Sequence, residues 1–373
     1  MRRDKPRFEV AHILQKHHHQ IPKLTANSWQ ARTLYAIAAC RTSVLGGHVD
    51  KCSSKSCSHV HISYNSCRNR HCPKCQGNKR DLWIQAREEE LLNVPYYHIV
   101  FTLPDQLNKV ALYKPDLVYN LLFKTAWSVI RDFADNRSFL GAQTGMIAVL
   151  HTWGQNLSLH PHLHCIVPGG GITSARKWKN ARGKGKYLFP VKVLSKVFRA
   201  RYIAALRKEI SVSQEMAKAL FANPWVVYCK QPFAAPQHVI RYLGRYTHKV
   251  AISNHRIIDI AGDNVIFSAK DYRHGNRKIT IRMNPQEFVR RFALHILPKG
   301  FVRMRHYGIL CSSKKGDIIP ELQKILGKPE VHLSPVEIAH RICPVCRKGT
   351  MMTVMVFSGR GPPPKELLRI MAG

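Results

Sequence analysis

The stretch HTWGQNLSLHPHLHCIVPGGG (His151–Gly171) decides the fold that we expect for this chain. It carries four histidines within fourteen residues, followed by a short apolar run that a proline and three glycines end. We predict a strand over His162–Val167. The strand is expected to begin after Pro161, because proline cannot donate a hydrogen bond to a strand ladder.

The alternation of side chains along this strand groups its histidines. His162 and His164 fall on one face, while the apolar residues fall on the other, namely Leu163, Cys165 and Val167. With His151 nearby, the two imidazoles form part of a metal site whose open positions can take substrate oxygens. His160 and His162 are an alternative pair, which the geometry of Pro161 disfavours.

Periodicity elsewhere predicts the elements around this strand. β-branched and aromatic runs predict strands, and apolar residues at helical spacing predict helices. The predicted strands are Tyr97–Leu103, Met146–His151 and a meander of Arg256–Ile260, Val265–Ala269 and Lys278–Arg282. The predicted helices are Asp116–Phe133, most of Leu194–Ala222, one carrying His238–His248, and one that starts at Asn284-Pro285. This pattern indicates an α+β fold on an antiparallel sheet.

Cysteines between residues 52 and 75 follow the spacing of zinc ligands. The pattern is Cys52-x4-Cys57, followed by Cys67-x4-Cys72-Pro-Lys-Cys75. Two cysteine pairs separated by a short loop can place four thiolates around one Zn²⁺. We predict a closed, structural zinc site of Cys52, Cys57, Cys72 and Cys75. Cys67 is the alternate ligand, and the further candidates are His59, His61 and His71.

A further pair, Cys343-Pro-Val-Cys346, has no evident partner pair in the sequence. It is either a turn or a second zinc site completed by His340 or Cys311. The eleven cysteines are an odd number and lie in tight pairs, which favours metal ligation in a reducing cytoplasm over a disulfide scaffold.

The segment Arg241–His248 (RYLGRYTH) predicts a helix that presents two tyrosines on one face. Tyr242 and Tyr246 are spaced i, i+4. Two phenols presented together can act as nucleophiles that form phosphotyrosine links. Such a pair alone is typical of an aromatic core, but beside the histidine cluster we interpret it as catalytic, with Arg241 and Arg245 steadying the phosphate.

The charge of the chain predicts a nucleic-acid partner. Lys and Arg number 59 against 22 Asp and Glu, a formal net charge of +37 over 373 residues. Such an excess strains a compact state by self-repulsion unless a polyanion neutralises it. There is no apolar run long enough to span a bilayer and no signal peptide, so we expect a bacterial cytoplasmic, nucleoid-associated protein without a membrane partner.

Basic residues interleaved with aromatics predict the DNA-binding surface. Cations follow the backbone of a single strand while bases stack on aromatic rings. We expect contacts from a basic loop and from arginines further along the chain: Lys177, Trp178, Lys179, Arg182, Arg291, Arg303 and Arg305. A solvated insertion is the alternative interpretation of the loop.

Four motifs resemble those of the two-tyrosine transposases of the insertion sequence ninety-one family, within the HUH (histidine–hydrophobe–histidine) endonucleases. The HUH motif itself is matched by His162-Leu163-His164. The resemblance spans residues 52–346 in the family's order, and its four motifs are Ser66–Gln76, His151–Gly171, Tyr242–Asn254 and Arg291–Gly308.

The resemblance implies a palm-like antiparallel sheet with flanking helices, to which a small N-terminal zinc-binding module is added. It implies Mg²⁺ or Mn²⁺ on His162 and His164, with His151 as third ligand and Gln155 as the alternate. It also implies rolling-circle transposition, in which a tyrosine nicks single-stranded DNA, keeps the 5′ phosphate and frees a 3′ hydroxyl. Which tyrosine acts first, the DNA sequences and the oligomeric state are left open.

The expected domains are residues 1–93 (helical and zinc-binding), 94–300 (nuclease, with a helical and basic insertion at about 172–235) and 301–373 (a basic region with a CxxC). Alternative functions are a non-catalytic zinc-finger DNA-binding protein and a replication initiator or relaxase-type nickase. A metal-free tyrosine recombinase and a hydrolytic metallonuclease are enzyme rivals.

Overall fold

The computed structural model describes residues 6–182, 188–230, 244, 250–271, 275, 277–329 and 341–359, with the side chains of 77–82 and 230 excepted. The chain divides into two compact units. The first, here called the cysteine unit, comprises residues 1–82, 252–296 and 333–373. The second, the histidine unit, comprises residues 83–251 and 297–332.

The described helices and strands alternate along the chain. The helices are α1 Val10–Lys16, α2 Ile21–Leu24, α3 Ser28–Ala38, α4 Gln76–Glu88, α5 Asn108–Tyr113, α6 Pro115–Asp135, α7 Val191–Glu209, α8 Gln214–Ala222, α9 Pro285–Ala293 and α10 Ser312–Leu326. The strands are β1 Gly47–Cys52, β2 Val60–Tyr64, β3 Tyr96–Thr102, β4 Gly145–Trp153, β5 Leu159–Pro168, β6 Gly170–Ile172, β7 Trp178–Asn180, β8 Val227–Lys230, β9 Ile257–Ala261, β10 Asn264–Asp271, β11 Arg277–Met283, β12 Met304–Gly308 and β13 Met351–Phe357.

The histidine unit is built on a five-stranded antiparallel sheet with the order β12-β4-β5-β3-β8. The central strand β5 carries the HUH motif. Its apolar residues Leu163, Cys165 and Val167 are fully buried with helices α6 and α7 on one face of the sheet, as predicted. Ile166 lies in a separate apolar cluster with residues of α10, so both faces of the sheet are covered. The fold is therefore α+β, as expected.

The cysteine unit contains two smaller sheets, with the orders β13-β1-β2 and β11-β10-β9. The second is the predicted meander. Helix α9 follows it and begins as predicted, because the Asn284 side chain accepts a hydrogen bond from the N–H of Gln286 and Pro285 occupies the first turn. Helix α9 packs against β10, α1 and α2.

One predicted strand differs from the structure. Strand β5 begins at Leu159 and runs through Pro161. His151 pairs with His162, but Trp153 pairs with Leu159, so the register shifts by a β-bulge between these two residue pairs. Pro161 lies in this bulge, so its missing N–H removes no regular hydrogen bond between β4 and β5. The segment Leu194–Ala222 is mostly helical, as predicted; it forms most of α7 and all of α8, whose N-terminus Ser213 caps.

The units also cross the predicted domain limits. The chain passes from one unit to the other inside α4, between residues 82 and 83, rather than at 93/94. The meander and α9, within the predicted nuclease domain, lie in the cysteine unit, and residues 301–373 are divided between the two units. Sequence order alone does not reveal this, because the cysteine unit is assembled from three separate segments.

No helix in the described part of the chain is long and apolar enough to cross a membrane.

Candidate metal centres

Three histidines converge on one face of the central sheet. One ring nitrogen each of His151, His162 and His164 lies within 4.8 Å of the others. His162 and His164 are two residues apart on β5, and His151 is the direct cross-strand partner of His162 on β4. Directly opposed residues share a face of the sheet, so the strand register itself assembles the three ligands.

The predicted third histidine is thus brought to the pair. Gln155, the alternate, lies in the loop between β4 and β5. His160 contributes its backbone: its carbonyl oxygen is 2.7 Å from Nδ1 of His162. A carbonyl can only accept, so Nδ1 of His162 carries the proton and Nε2 keeps the lone pair that a metal ion needs.

A fourth histidine, His98 on β3, supports the cluster. Its Nε2 lies 2.9 Å from Nδ1 of His164, and the two rings are within 8° of parallel. His98 is 3% exposed and His164 is 8% exposed, so this hydrogen bond is shielded from solvent. His98 was not among the predicted site residues, although it lies in the predicted strand Tyr97–Leu103; the one signal for it was a polar residue among the apolar residues of YHIVFT.

Solvent reaches the cluster on one side. His151 is 2% exposed and its ring stacks on Trp153 at a centroid distance of 4.5 Å, whereas His162 is only half-buried. Two of the three imidazoles are buried and the third is half-buried, and three protein ligands leave coordination positions that the protein does not fill. This donor set fits a catalytic metal ion with open coordination positions.

Eight of the eleven cysteines form two clusters of four. Within each cluster the four Sγ atoms lie within 4.8 Å of one another, and both clusters belong to the cysteine unit. The first contains Cys40, Cys67, Cys72 and Cys75. The second contains Cys52, Cys57, Cys343 and Cys346.

This grouping corrects the predicted set of Cys52, Cys57, Cys72 and Cys75. The structure divides that set between the two clusters, and the alternate Cys67 joins Cys72 and Cys75. The reason is the β1–β2 hairpin, which separates the two pairs. Cys52 ends β1, and its N–H bonds to the His59 carbonyl just before β2, so Cys57 lies in the connecting turn.

The second CxxC pair is likewise resolved. The suggested partners His340 and Cys311 are not those found: His340 lies outside the described residues, and the thiol of Cys311 contacts the Ser313 hydroxyl. Cys343 and Cys346 instead meet Cys57 and Cys52, with Sγ–Sγ distances of 3.8 and 3.6 Å.

The sulfur geometry suits zinc. Four thiolates at about 2.3 Å from a tetrahedral Zn²⁺ lie about 3.8 Å from one another. In the first cluster, Cys75 lies 3.5 Å from Cys40 and 3.7 Å from Cys67. These distances match the tetrahedron and are well beyond a disulfide bond. With four protein ligands each, both clusters fit structural Zn²⁺.

Comparison with known proteins places these features in a family. Residues 13–103 match a family model described as "Transposase zinc-binding domain", and residues 145–317 match one described as "Putative transposase". The chain is 39% identical over 391 residues to "Putative transposase y4qJ" of Sinorhizobium fredii, covering 96% of this chain and 97% of the relative. It is 28% identical to "Transposase for insertion sequence element IS801" of Pseudomonas savastanoi pv. phaseolicola, covering 82% and 78%.

The chain belongs to the insertion sequence ninety-one family of transposases. The resemblance that the motifs predicted is thereby confirmed. No solved structure matches the chain. The transposase match covers the histidine trio, and the zinc-binding match covers the first cysteine cluster together with Cys52 and Cys57.

The predicted nucleophiles of this transposase, Tyr242 and Tyr246, lie outside the described residues, as do Arg241 and Arg245. Gly244, between them, is described and is helical and buried. Their relation to the histidines therefore stays a prediction.

The predicted DNA-binding residues of the transposase fall into two groups. Lys177 and Arg182 are exposed in and after the β6–β7 hairpin, and Trp178 and Lys179 are half-buried on it. Among the described arginines of this set, Arg291 and Arg305 make side-chain contacts within their own units, and Arg303 makes a backbone hydrogen bond. Arg291 lies 2.6 Å from a Glu287 oxygen, the Arg303 carbonyl accepts from the N–H of Leu150, and Arg305 contacts Asn120 at 2.5 Å.

The hairpin is ordered because glycines permit close packing. A Cβ on Gly170 would lie 2.5 Å from the Trp178 ring, and one on Gly171 would lie 2.5 Å from the Gln143 carbonyl oxygen. Residues 170–180 thus form a packed β-hairpin rather than a solvated insertion.

Proposed function

We propose that this transposase cuts and rejoins single-stranded DNA through a tyrosine, with a divalent metal ion held by His151, His162 and His164. The observation that carries the proposal is the convergence of three imidazole nitrogens within 4.8 Å on the central strand pair. Structural Zn²⁺ in the cysteine unit is expected to maintain that unit without taking part in the reaction.

The hydrogen bonds around the histidines support this assignment. Nδ1 of His162 is held by the His160 carbonyl, so Nε2 is the nitrogen left with a lone pair for a metal ion. If His164 donates from Nδ1 to Nε2 of His98, its own Nε2 likewise keeps a lone pair for the metal. Partners of this kind fix the tautomer and the orientation of metal-ligating histidines.

A Mg²⁺ or Mn²⁺ ion would polarise the scissile phosphate and stabilise the charge that develops on it. Magnesium prefers oxygen ligands, so we expect the imidazole donor set to bind Mn²⁺ more tightly than Mg²⁺.

In the proposed reaction, the phenolate oxygen of Tyr242 or Tyr246 attacks the phosphorus atom. A tyrosine–phosphate bond forms to the 5′ side as the bond to the 3′ oxygen breaks, and the leaving 3′ oxygen takes up a proton. The phosphotyrosine conserves the bond energy, so a 3′ hydroxyl can reverse the step on another strand. Two tyrosines would allow successive cleavage and transfer.

The test uses single-stranded fragments that tile the DNA on both sides of the gene, labelled at either end, with Mn²⁺ present. We expect a covalent protein adduct that carries the 3′-labelled fragment, and a released 5′-labelled fragment that a polymerase can extend. A Tyr242→Phe/Tyr246→Phe double variant is expected to bind the same fragments without forming the adduct. His162→Ala is expected to abolish cleavage.

Each rival function predicts a different product. A tyrosine recombinase would attach the 5′-labelled fragment and would resist EDTA. A hydrolytic metallonuclease would cut without an adduct, and a non-catalytic zinc-finger protein would bind without cutting. Any of these outcomes, or equal adduct formation by the double tyrosine variant, would refute the proposal.

A further inference from the structure

The second cysteine cluster joins parts of the chain that are far apart in sequence. Cys52 and Cys346 are separated by 294 positions, yet their sulfurs lie 3.6 Å apart. The matched zinc-binding region ends at residue 103 and so contains only half of this cluster. We propose that Cys52, Cys57, Cys343 and Cys346 bind a second zinc ion, which clasps the C-terminal segment 341–359 onto strand β1.

The sulfur positions support a metal ion rather than a pair of disulfides. The two cross-segment distances, 3.6 Å for Cys52–Cys346 and 3.8 Å for Cys57–Cys343, are close to the edge of a tetrahedron around Zn²⁺. Because all four sulfurs lie within 4.8 Å of one another, no pair is set apart as a bonded couple. Cys343 is fully buried, although its flanking chain is exposed.

Backbone N–H groups are aimed at the sulfurs. Ser54 donates to Cys52 Sγ at 3.4 Å, and Gly349 donates to Cys346 Sγ at 3.3 Å. Donors of this kind stabilise thiolates, the form that binds metal. The turn after Cys346 is tight: Arg347 has φ 55°, and a Cβ on Gly349 would lie 2.4 Å from Cys52 Sγ. This close approach requires glycine at position 349.

The strand pairing next to the cluster is separate evidence that the C-terminal segment packs against β1. Strand β13 pairs with β1 from Gly47–Phe357 to Cys52–Met351. Asp50, 2% exposed on β1, receives hydrogen bonds from Arg341 at 2.6 Å and from Thr353 at 2.7 Å. Without residues 341–353 this buried carboxylate would lose both donors, and such a group is costly to leave unpaired.

The two zinc sites therefore have different roles in the cysteine unit. The first, between Cys40 and Cys75, is local in sequence. The second is complete only when residue 346 is present, and it ties the C-terminal segment to the N-terminal one. This proposal does not depend on the tyrosine chemistry.

The test counts zinc ions on the full-length chain by native mass spectrometry after purification with a thiol reductant and ZnCl₂. The histidine trio can also take up Zn²⁺, so the difference between variants is the readout. We expect Cys343→Ser/Cys346→Ser to hold one zinc ion fewer than the wild type. The matched control is Cys311→Ser, which lies outside both clusters and should hold as many zinc ions as the wild type. Equal zinc counts on the double variant and the wild type would overturn the proposal.

A measurement on the unaltered chain covers the case in which the double variant does not fold. In the zinc-loaded protein, Cys343 and Cys346 should react with iodoacetamide at least tenfold more slowly than half-buried Cys311, and a chelator should expose them together with Cys52 and Cys57. Gly349→Ala, which keeps all four ligands, should lose one zinc at lower chelator concentration. Labelling of Cys343 and Cys346 as fast as Cys311 in the loaded protein would contradict the clasp.

Discussion

His98 and His164 are joined by a hydrogen bond of 2.9 Å between Nε2 and Nδ1, across adjacent strands of the central sheet. His98 is paired with Ile166 rather than with His164, so the bond runs diagonally on the face that carries the histidine trio. Both imidazoles are buried. His98 is thus a positioning residue, whose proposed part is to hold the ring of His164.

We expect His98→Ala to weaken Mn²⁺ binding by about 10- to 100-fold, the effect typical of losing an outer-shell partner. His98→Gln should recover part of this affinity, because the amide oxygen can accept from Nδ1 of His164. Electron paramagnetic resonance titration of Mn²⁺ measures both values, and the zinc content should not change.

The matched control for His98 is His160→Gln. The imidazole of His160 is not a member of the trio; its backbone carbonyl accepts from Nδ1 of His162, and its ring lies 5.3 Å from the ring of His162. This variant should bind Mn²⁺ as the wild type does. If His98→Ala retained full affinity, or if His160→Gln lost as much, the positioning role would be wrong.

The sequence predicted what depends on local spacing. The alternation around His162 and His164 predicted a strand and its buried face, and the Asn284-Pro285 pair predicted a helix start, because both signals lie within a few residues of the feature they specify. The sequence could also predict the third histidine of the trio, because His151 lies on β4, and a short loop joins β4 to β5.

What the sequence left unresolved depends on long-range pairing. Cys52 and Cys57 are nearer in sequence to Cys72 than to Cys343, so spacing favoured the wrong set. The correct partners are brought in by strand β13, which pairs with β1 across more than 290 residues. His98 was missed for the same reason, because the β3–β5 register that brings it to His164 is not encoded locally.

The exposed and the internally bonded basic residues should differ in how their substitution changes the salt dependence of DNA binding. Lys177 and Arg182 are exposed, so we expect Lys177→Ala and Arg182→Ala each to lower single-stranded DNA affinity and to reduce the slope of log K against log salt by about 0.7. Fluorescence anisotropy from about 50 to 300 mM NaCl provides the slope. An unchanged slope would remove the residue from the DNA path.

Arg305 should behave differently. Its guanidinium lies 4.2 Å from the ring centroid of Phe123 and contacts Asn120. We expect Arg305→Ala to lower the free energy of unfolding by about 1–3 kcal/mol, through loss of the cation–π contact and a charged hydrogen bond. Urea denaturation measures the change. Wild-type stability with a reduced salt slope would instead place Arg305 on the DNA.

The apolar core that packs against the Leu163 face of β5 should contribute most of the stability of the histidine unit. Phe101 is fully buried and its ring lies 4.9 Å from that of Phe198. We expect Phe101→Ala to cost about 3–5 kcal/mol, the usual range for a buried phenylalanine. Five of the six tryptophans lie in this unit, so fluorescence follows its unfolding. The control, Tyr113→Ala, removes a ring that is 87% exposed and should cost less than about 0.5 kcal/mol.

His306 on β12 should make the histidine unit sensitive to mild acid. Burial, with nearby Arg87 and Lys315, lowers the pKa of His306 to about 4, and Glu90 opposes the shift only partly. Between pH 6.5 and pH 4 the unfolded chain therefore binds a proton at this residue that the folded chain does not. Stability falls as the pH drops through this window.

We expect His306→Gln to reduce this acid sensitivity. The full pKa shift corresponds to an upper bound of about 3 kcal/mol, which solvent screening at a half-buried site reduces to about 1–2 kcal/mol. Urea denaturation of both proteins at pH 7 and pH 4.5 measures the difference. The variant should lose less stability than the wild type on acidification, because its amide takes up no proton in either state. Identical losses in the two proteins would show that His306 is already protonated in the folded unit.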